Sequence, residues 1–192
     1  MTAWLDRRST PLLVGLFAAL LAVAAGLVSG ADAAERAGLA ARWTARAALP
    51  LFLIVFLAST LMRRWPAGIT RALRKRRRQW GLGFALAHTI HLAALAVNVI
   101  VFAPGRTWQS LIGGGLTYVM IFVMAFTSTD GWQRQLGRWW RRLHTVGIYY
   151  IWFIFTASYA GRAFGDEPEK RVVGLLFGTI LIAALIGRLW PR

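Results

Sequence analysis

Long apolar stretches separated by short basic segments form the main pattern of this chain. Six stretches can be recognised: Pro11–Ser29, Ala47–Met62, Gly81–Ala103, Leu111–Thr127, Leu143–Ala160 and Val172–Trp190. A helix needs about 20 residues to cross about 30 Å of hydrocarbon, and several stretches approach that length. Ala47–Met62 and Leu111–Thr127 are shorter, so we expect each to gain a turn from its flanks. The pattern predicts an all-α, polytopic membrane protein whose six transmembrane helices form one bundle and one domain over residues 1–192.

The first stretch also has features of a secretory signal. Arg7 and Arg8 precede it, and Ala31-Asp32-Ala33 resembles a cleavage site with small residues. However, the apolar run is longer than the 7–15 residues of a typical signal core. We therefore expect this stretch to be retained as a transmembrane helix.

Composition supports a membrane protein and narrows its chemistry. Of the 192 residues, 57% are hydrophobic and only 16% are charged, against about 25% charged in soluble chains. The net charge of +16 suggests nucleic acid at first, but the arginines lie between apolar stretches rather than along one surface. The chain has no cysteine, which excludes disulfides and thiolate metal sites. Any redox function must therefore use a bound cofactor.

The basic residues predict the orientation in the membrane. If the N-terminus is cytoplasmic, the cytoplasmic segments hold 16 of the 23 Lys and Arg residues, and the outer loops hold five of the seven acids. Positive charge favours the cytoplasmic side, so we expect both termini there. Arg74–Arg78 would meet anionic lipid headgroups. A second possibility is that Arg77 or Arg78 also neutralises a cofactor carboxylate.

Three histidines are the strongest candidates for a functional site. His88 and His91 are three residues apart in the third stretch, so they share one face of a helix, and His144 opens the fifth stretch. Imidazoles from facing helices of a bundle can hold a heme iron from both sides. Counted from the cytoplasmic face, the depths are about 15 Å for His91, 10 Å for His88 and 7–8 Å for His144. We expect His144 to supply one axial bond and His91 or His88 the other.

Flanking residues fit a flat ring without requiring one. Glycines near the histidines would let a porphyrin approach the helix backbone, namely Gly81, Gly83 and Gly147. Gly113–Gly115 indicates close helix packing or approach to a flat ligand. Arg78, Arg141 and Arg142 lie where heme propionates would emerge, although anchoring at the interface explains them equally well. Tyr149, Tyr150 and Trp152 are interpreted as packing residues.

Several alternatives remain at this point. Each histidine could simply hydrogen-bond a neighbouring hydroxyl or carbonyl group. Three imidazoles alone could hold an open zinc site, although no span offers a carboxylate or thiolate. A heme-free transporter with a proton pathway would need a polar lining, and the spans offer mainly Asn98, Thr117, Ser59, Thr60 and Thr156. The chain could also be a structural subunit that anchors a partner.

Short motifs across residues 60–160 resemble the ferric-reductase-like transmembrane family. The matching residues are Arg77-Arg78, Gly81-Leu82, Thr89-Ile90-His91, Ala125–Thr129, Gln133–Gly137 and Leu143-His144. They are most similar to a small bacterial branch, the heme-binding membrane subunits of periplasmic methionine-sulfoxide reductase systems. The stretch from Ala125 to His144 is the most specific part.

The resemblance implies a six-helix b-type cytochrome in the bacterial inner membrane, with His91 and His144 as the histidines that correspond to the family pattern. Such a subunit takes electrons from quinol or a cytoplasmic flavin reductase and passes them to a periplasmic molybdenum reductase. Membrane lipid is the other expected partner, and FMN is a further cofactor that the resemblance alone suggests. A self-contained enzyme is not expected.

One position departs from the family pattern. That pattern has a second histidine thirteen residues after His144, where this chain has Ala157. The third stretch offers only Phe102 and Ala103 near the matching height, whereas His88 replaces a small residue of the pattern. The resemblance therefore implies a single heme toward the inner leaflet, or one rearranged around His88.

Overall fold

The computed structural model describes residues 4–5, 7–102 and 108–190, without the side chains of residues 108–111. This part of the chain is helical and contains no strand, which confirms the all-α prediction. The helices are α1 (Thr10–Ser29), α2 (Ala33–Arg64), α3 (Gly68–Lys75), α4 (Arg77–Val97), α5 (Trp108–Phe126), α6 (Asp130–Leu136), α7 (Arg138–Ala163) and α8 (Pro168–Leu189). A π-helical turn, Asn98–Phe102, continues α4. Ala103, the predicted end of the third stretch, lies outside the described residues.

Helix α2 is much longer than predicted and includes residues 33–46, which the hydrophobic pattern assigns to an outer loop. Its N-terminus is capped by Asp32, whose side chain accepts a hydrogen bond from the Glu35 backbone N–H at 2.8 Å. This segment is rich in alanine, the residue with the highest helix propensity. The loop prediction was therefore wrong, because hydropathy detects apolar character rather than helix propensity.

The chain divides into two compact units, Met1–Ser110 and Leu111–Arg192. In the first unit, α1, α2 and α4 pack against one another. Their crossings use small residues: a methyl group added at Gly15 of α1 would overlap the Gly83 carbonyl oxygen of α4. Likewise, a methyl group at Gly26 would overlap the backbone of Ala40 on α2. Such contacts let helices approach closely in lipid, where burial of apolar surface provides little drive for association.

Aromatic rings pack between α2 and α4 in the first unit. Phe52 and Phe56 of α2 are fully buried, with ring centroids 5.5 Å apart. Phe84 of α4 lies 5.6 Å from the Phe52 ring. This cluster fixes the face of α4 that carries the two histidines against α2.

In the second unit, α7 packs along α8 and also forms a hydrogen bond to α5. The Trp152 indole N–H donates to the Leu181 carbonyl at 2.9 Å, and the Tyr150 hydroxyl donates to the Gly113 carbonyl at 3.2 Å. These contacts agree with the interpretation of Tyr150 and Trp152 as packing residues. Gly137 joins α6 to α7 with a φ of 50°, a conformation that favours glycine.

Four helices of the described part are long and apolar enough to cross a membrane: α1, α2, the continuous Arg77–Phe102 segment, and α8. A fifth candidate is the pair formed by Ile112–Phe126 and α6, which are bent by 103°. Helix α7 is long enough, but its apolar part contains His144 and several tyrosines. The protein is thus a multi-pass membrane protein by helix length and composition, whereas the count of six spans, the orientation and the single domain stay predictions.

Candidate functional site

His88 and His91 lie one turn apart on the same face of α4, as their spacing predicts. Their ring centroids are 5.2 Å apart, and the rings meet edge to face. His88 is only 6% exposed, and its ring lies 4.8 Å from the Phe84 ring. His91 is half-buried, so it is the more accessible of the two imidazoles.

Thr44 of α2 contacts His91. Its hydroxyl oxygen lies 3.0 Å from Nδ1 of His91, and the close packing of α2 on α4 brings the two side chains together. The same oxygen lies 2.7 Å from the Ala40 carbonyl oxygen. Sequence reasoning missed Thr44, because it belongs to the segment that was assigned to a loop.

His144 occupies the first turns of α7, next to the end of α5. Its ring stacks on the Trp140 indole, with centroids 4.1 Å apart. Its Nε2 lies 3.3 Å from the Thr127 hydroxyl oxygen. The Trp140 indole N–H donates to the Thr127 carbonyl at 2.8 Å, which ties α7 to the end of α5. Thr127 lies in the stretch Ala125–Thr129 that carries the family resemblance. That resemblance was the feature of the sequence from which Thr127 could have been identified as a site residue.

Only some of the glycines at which a flat ring was expected to approach the helix have an open backbone. Gly83 is covered by the backbone of α1 at Pro11, so the prediction that a ring could approach it was wrong. Gly147 is covered by the side chain of Met124, which is flexible. A methyl group added at Gly81 or Gly114 would have no heavy atom within 4 Å, apart from its own helix, so both backbones are open.

The arginines that were predicted to lie near a cofactor have different environments: some contact neighbouring side chains or helices, and others are exposed. Arg77 donates from Nε to the Val55 carbonyl of α2 at 2.9 Å, so one of its donors is committed to helix packing. Arg78 is exposed near the start of α4, where the helix meets the basic segment. The guanidinium of Arg142 lies over the Trp139 ring at 4.8 Å, a cation–π contact at the start of α7.

The described residues contain no cluster of three or more His, Cys, Asp or Glu side chains that could hold a bare metal ion. This argues against the zinc alternative within that part of the chain. What the fold presents instead is a pair of imidazoles on α4 and a single one on α7, beside aromatic rings and threonine hydroxyl groups. The molecule is thus a helical membrane protein that carries two histidines on a candidate membrane-spanning helix, α4, and a third on α7.

The chain is similar to the protein-methionine-sulfoxide reductase heme-binding subunit MsrQ of Caulobacter vibrioides, with 29% identity over 122 residues. The alignment covers 59% of this chain and 55% of that relative, so the chain spans about half the length of the curated relative it matches. This similarity confirms the resemblance recognised from the motifs. No protein-family model and no solved structure matches the chain.

Proposed function

We propose that this protein is a heme-binding membrane subunit that relays electrons to a partner oxidoreductase of the methionine-sulfoxide reductase type. The observation that carries the proposal is the similarity to an MsrQ heme-binding subunit, in a chain whose apolar helix α4 holds a partly exposed imidazole, His91. In this proposal the protein lies in the bacterial inner membrane with both termini in the cytoplasm. Quinol or a cytoplasmic flavin reductase donates the electrons, and a periplasmic molybdenum reductase accepts them.

The donor set fits a heme better than a bare metal ion. A porphyrin supplies four nitrogen ligands itself, so the protein needs to provide only one imidazole for each axial position. Histidines next to aromatic side chains, on α4 and on α7, meet that need. A bound heme would supply one-electron chemistry by cycling its iron between the ferric and ferrous states, with a potential tuned by ligand identity and burial.

We propose His91 and His144 as the axial ligands, with His88 as an alternative to His91. The environment of each ring in α4 supports this order. His88 is buried and packs against Phe84, so its side chain would have to leave this packing to bind a heme iron. His91 is partly exposed on the same face. Trp140 stacks on His144 and restricts the orientation of its ring.

One heme of the b type is proposed, because Ala157 stands where the family pattern has a histidine for a second one. Helix α7 therefore offers a single imidazole, His144. FMN remains a suggestion from the resemblance. The exit of electrons toward the periplasm would then use a route other than a second heme on α7.

The structural alternative, that the histidines only hydrogen-bond nearby hydroxyl groups, is compatible with these contacts. A bond to Thr44 or Thr127 uses one nitrogen of an imidazole, and each ring has two. A proton-conducting transporter has less support, because no acid among the described residues lies deeper than the first turn of a helix. A proton path through these helices would therefore have no carboxylate to relay it.

The proposal is tested by expressing the full chain with ample heme precursor and purifying it in detergent. We expect a coloured protein with one noncovalent heme b per chain, reduced by a quinol analogue in proteoliposomes. As a control, the same preparation with Ala substituted at all three histidines should be colourless. A colourless wild-type protein would refute the proposal and leave the anchor or transporter alternatives.

A further inference from the structure

Thr44 is a buried polar residue whose hydroxyl faces three potential partners. It is 0% exposed, and its oxygen lies 2.7 Å from the Ala40 carbonyl oxygen and 3.0 Å from the Ala41 carbonyl oxygen. On the other side, the oxygen lies 3.0 Å from Nδ1 of His91. The two carbonyl groups belong to the preceding turn of α2, whereas His91 belongs to α4.

A count of hydrogens assigns the roles in this contact. A threonine hydroxyl has one hydrogen to donate and two lone pairs that accept. The distance of 2.7 Å to the Ala40 carbonyl oxygen is typical of an O–H···O hydrogen bond, so the hydroxyl hydrogen lies between these two oxygens. If the hydroxyl donates to the Ala40 carbonyl, it accepts from His91, and the proton of the neutral imidazole lies on Nδ1. The lone pair of the ring is then on Nε2.

We propose that Thr44 is a positioning residue that holds His91 in the tautomer whose Nε2 binds iron. This inference rests on the proposed heme-binding function. A hydrogen bond from the second ring nitrogen fixes both the tautomer and the orientation of a ligating histidine and makes the ligand more basic. Thr44 is well suited to this role, because its own hydrogen is committed to the helix and only its acceptor lone pair remains for the ring.

The contact at His144 shows that this arrangement is specific. There the hydroxyl of Thr127, which lies 2.7 Å from the Val123 carbonyl oxygen, meets Nε2 of the ring instead of Nδ1. To bind iron through Nε2, as proposed above, His144 would have to give up this contact, which at 3.3 Å is longer than the 3.0 Å contact between Thr44 and His91. A threonine hydroxyl next to a histidine thus does not by itself present Nε2, and the geometry at Thr44 does.

The test compares Thr44→Val, which removes the hydroxyl but keeps the shape, with Thr44→Ser, which keeps the hydroxyl. We expect Thr44→Val to lower heme affinity about 10- to 100-fold, as loss of such a supporting hydrogen bond does at other metal sites. The more basic imidazole favours the ferric state. If the variant loses tenfold more affinity for ferric than for ferrous heme, its midpoint potential rises by about 59 mV. Thr44→Ser should stay near the wild-type values.

Thr117→Val is the matched control. Thr117 is 5% exposed and also donates to the carbonyl group four residues earlier, at Gly113, but it contacts no histidine in the described part of the chain. Its substitution should leave the potential and the heme affinity unchanged. The inference is overturned if Thr44→Val keeps the wild-type potential and affinity, or if Thr117→Val shifts them equally.

A second measurement needs neither a variant nor heme. In full-length protein with ¹⁵N-labelled histidine, the ring nitrogen shifts of His91 should show a protonated Nδ1 and an unprotonated Nε2. The reverse pattern overturns the inference about Thr44. If the wild-type protein is colourless but shows the expected tautomer, the proposed function fails while the hydrogen-bond assignment stands.

Discussion

The crossing of α1 and α4 at Gly83 allows a sharp test of the packing, with Gly83→Ala as the perturbation. A methyl group there would overlap the Pro11 carbonyl oxygen and lie 2.9 Å from the Pro11 carbonyl carbon. Optimal separations between carbon atoms are about 3.5–4.0 Å, so the two helices would have to separate by roughly 1 Å. The obstacle is backbone rather than the end of a flexible side chain. The strain therefore cannot be relieved by a rotamer change.

The expected cost follows from two opposing effects. Overpacking of a well-packed contact typically costs about 1–3 kcal/mol. Replacement of glycine by alanine inside a helix returns about 1 kcal/mol of helix propensity. We therefore expect Gly83→Ala to lower the free energy of unfolding by up to about 2 kcal/mol, which is a factor of up to roughly 30 in the ratio of folded to unfolded protein.

Gly81→Ala is the matched control on the same helix. No heavy atom lies within 4 Å of a methyl group at Gly81, so only the propensity gain applies, up to about 1 kcal/mol. Unfolding by SDS in mixed micelles, followed by far-UV circular dichroism, measures both variants. The close approach of α1 and α4 is refuted if Gly83→Ala is as stable as Gly81→Ala.

Two further predictions concern the second unit and the orientation. Trp152→Phe removes the hydrogen bond to the Leu181 carbonyl and should lower stability by about 0.5–1.5 kcal/mol in the same assay, whereas Trp139→Phe, at an exposed position, should change it little. Equal effects of the two variants would contradict the assignment. Because the chain has no cysteine, Arg74→Cys and Glu167→Cys each create a single thiol. An impermeant maleimide should label Glu167→Cys from the outside of spheroplasts and Arg74→Cys only after lysis, and the opposite pattern would reverse the predicted topology.

The position and length of the apolar stretches were sufficient to locate most of the long apolar helices, but not their ends. The predicted stretch Pro11–Ser29 agrees with α1 almost residue for residue, since apolar residues fill that helix. Residues 33–46 were missed as helix because their stability comes from alanine propensity and the Asp32 cap. The short helices α3 and α6 were missed because basic and polar residues dominate both.

The candidate site was predictable only as far as the histidines themselves. The spacing of His88 and His91 puts them on one face of any helix, and that relation depends on nothing else in the fold. Thr44 could not be identified, since its proximity to His91 depends on the packing of α2 against α4 over a separation of 47 residues. The coverage of Gly83 by α1 was likewise invisible, because a glycine in a sequence does not reveal which backbone approaches it.

The reduced-minus-oxidised absorbance spectrum of purified histidine variants tests the central claim most directly. We predict a b-type signal in the wild-type protein and in His88→Ala, and its loss in His91→Ala and in His144→Ala, each with normal membrane insertion. A b-type signal that survives in His144→Ala, or its absence from the wild-type protein, would contradict the heme-binding assignment.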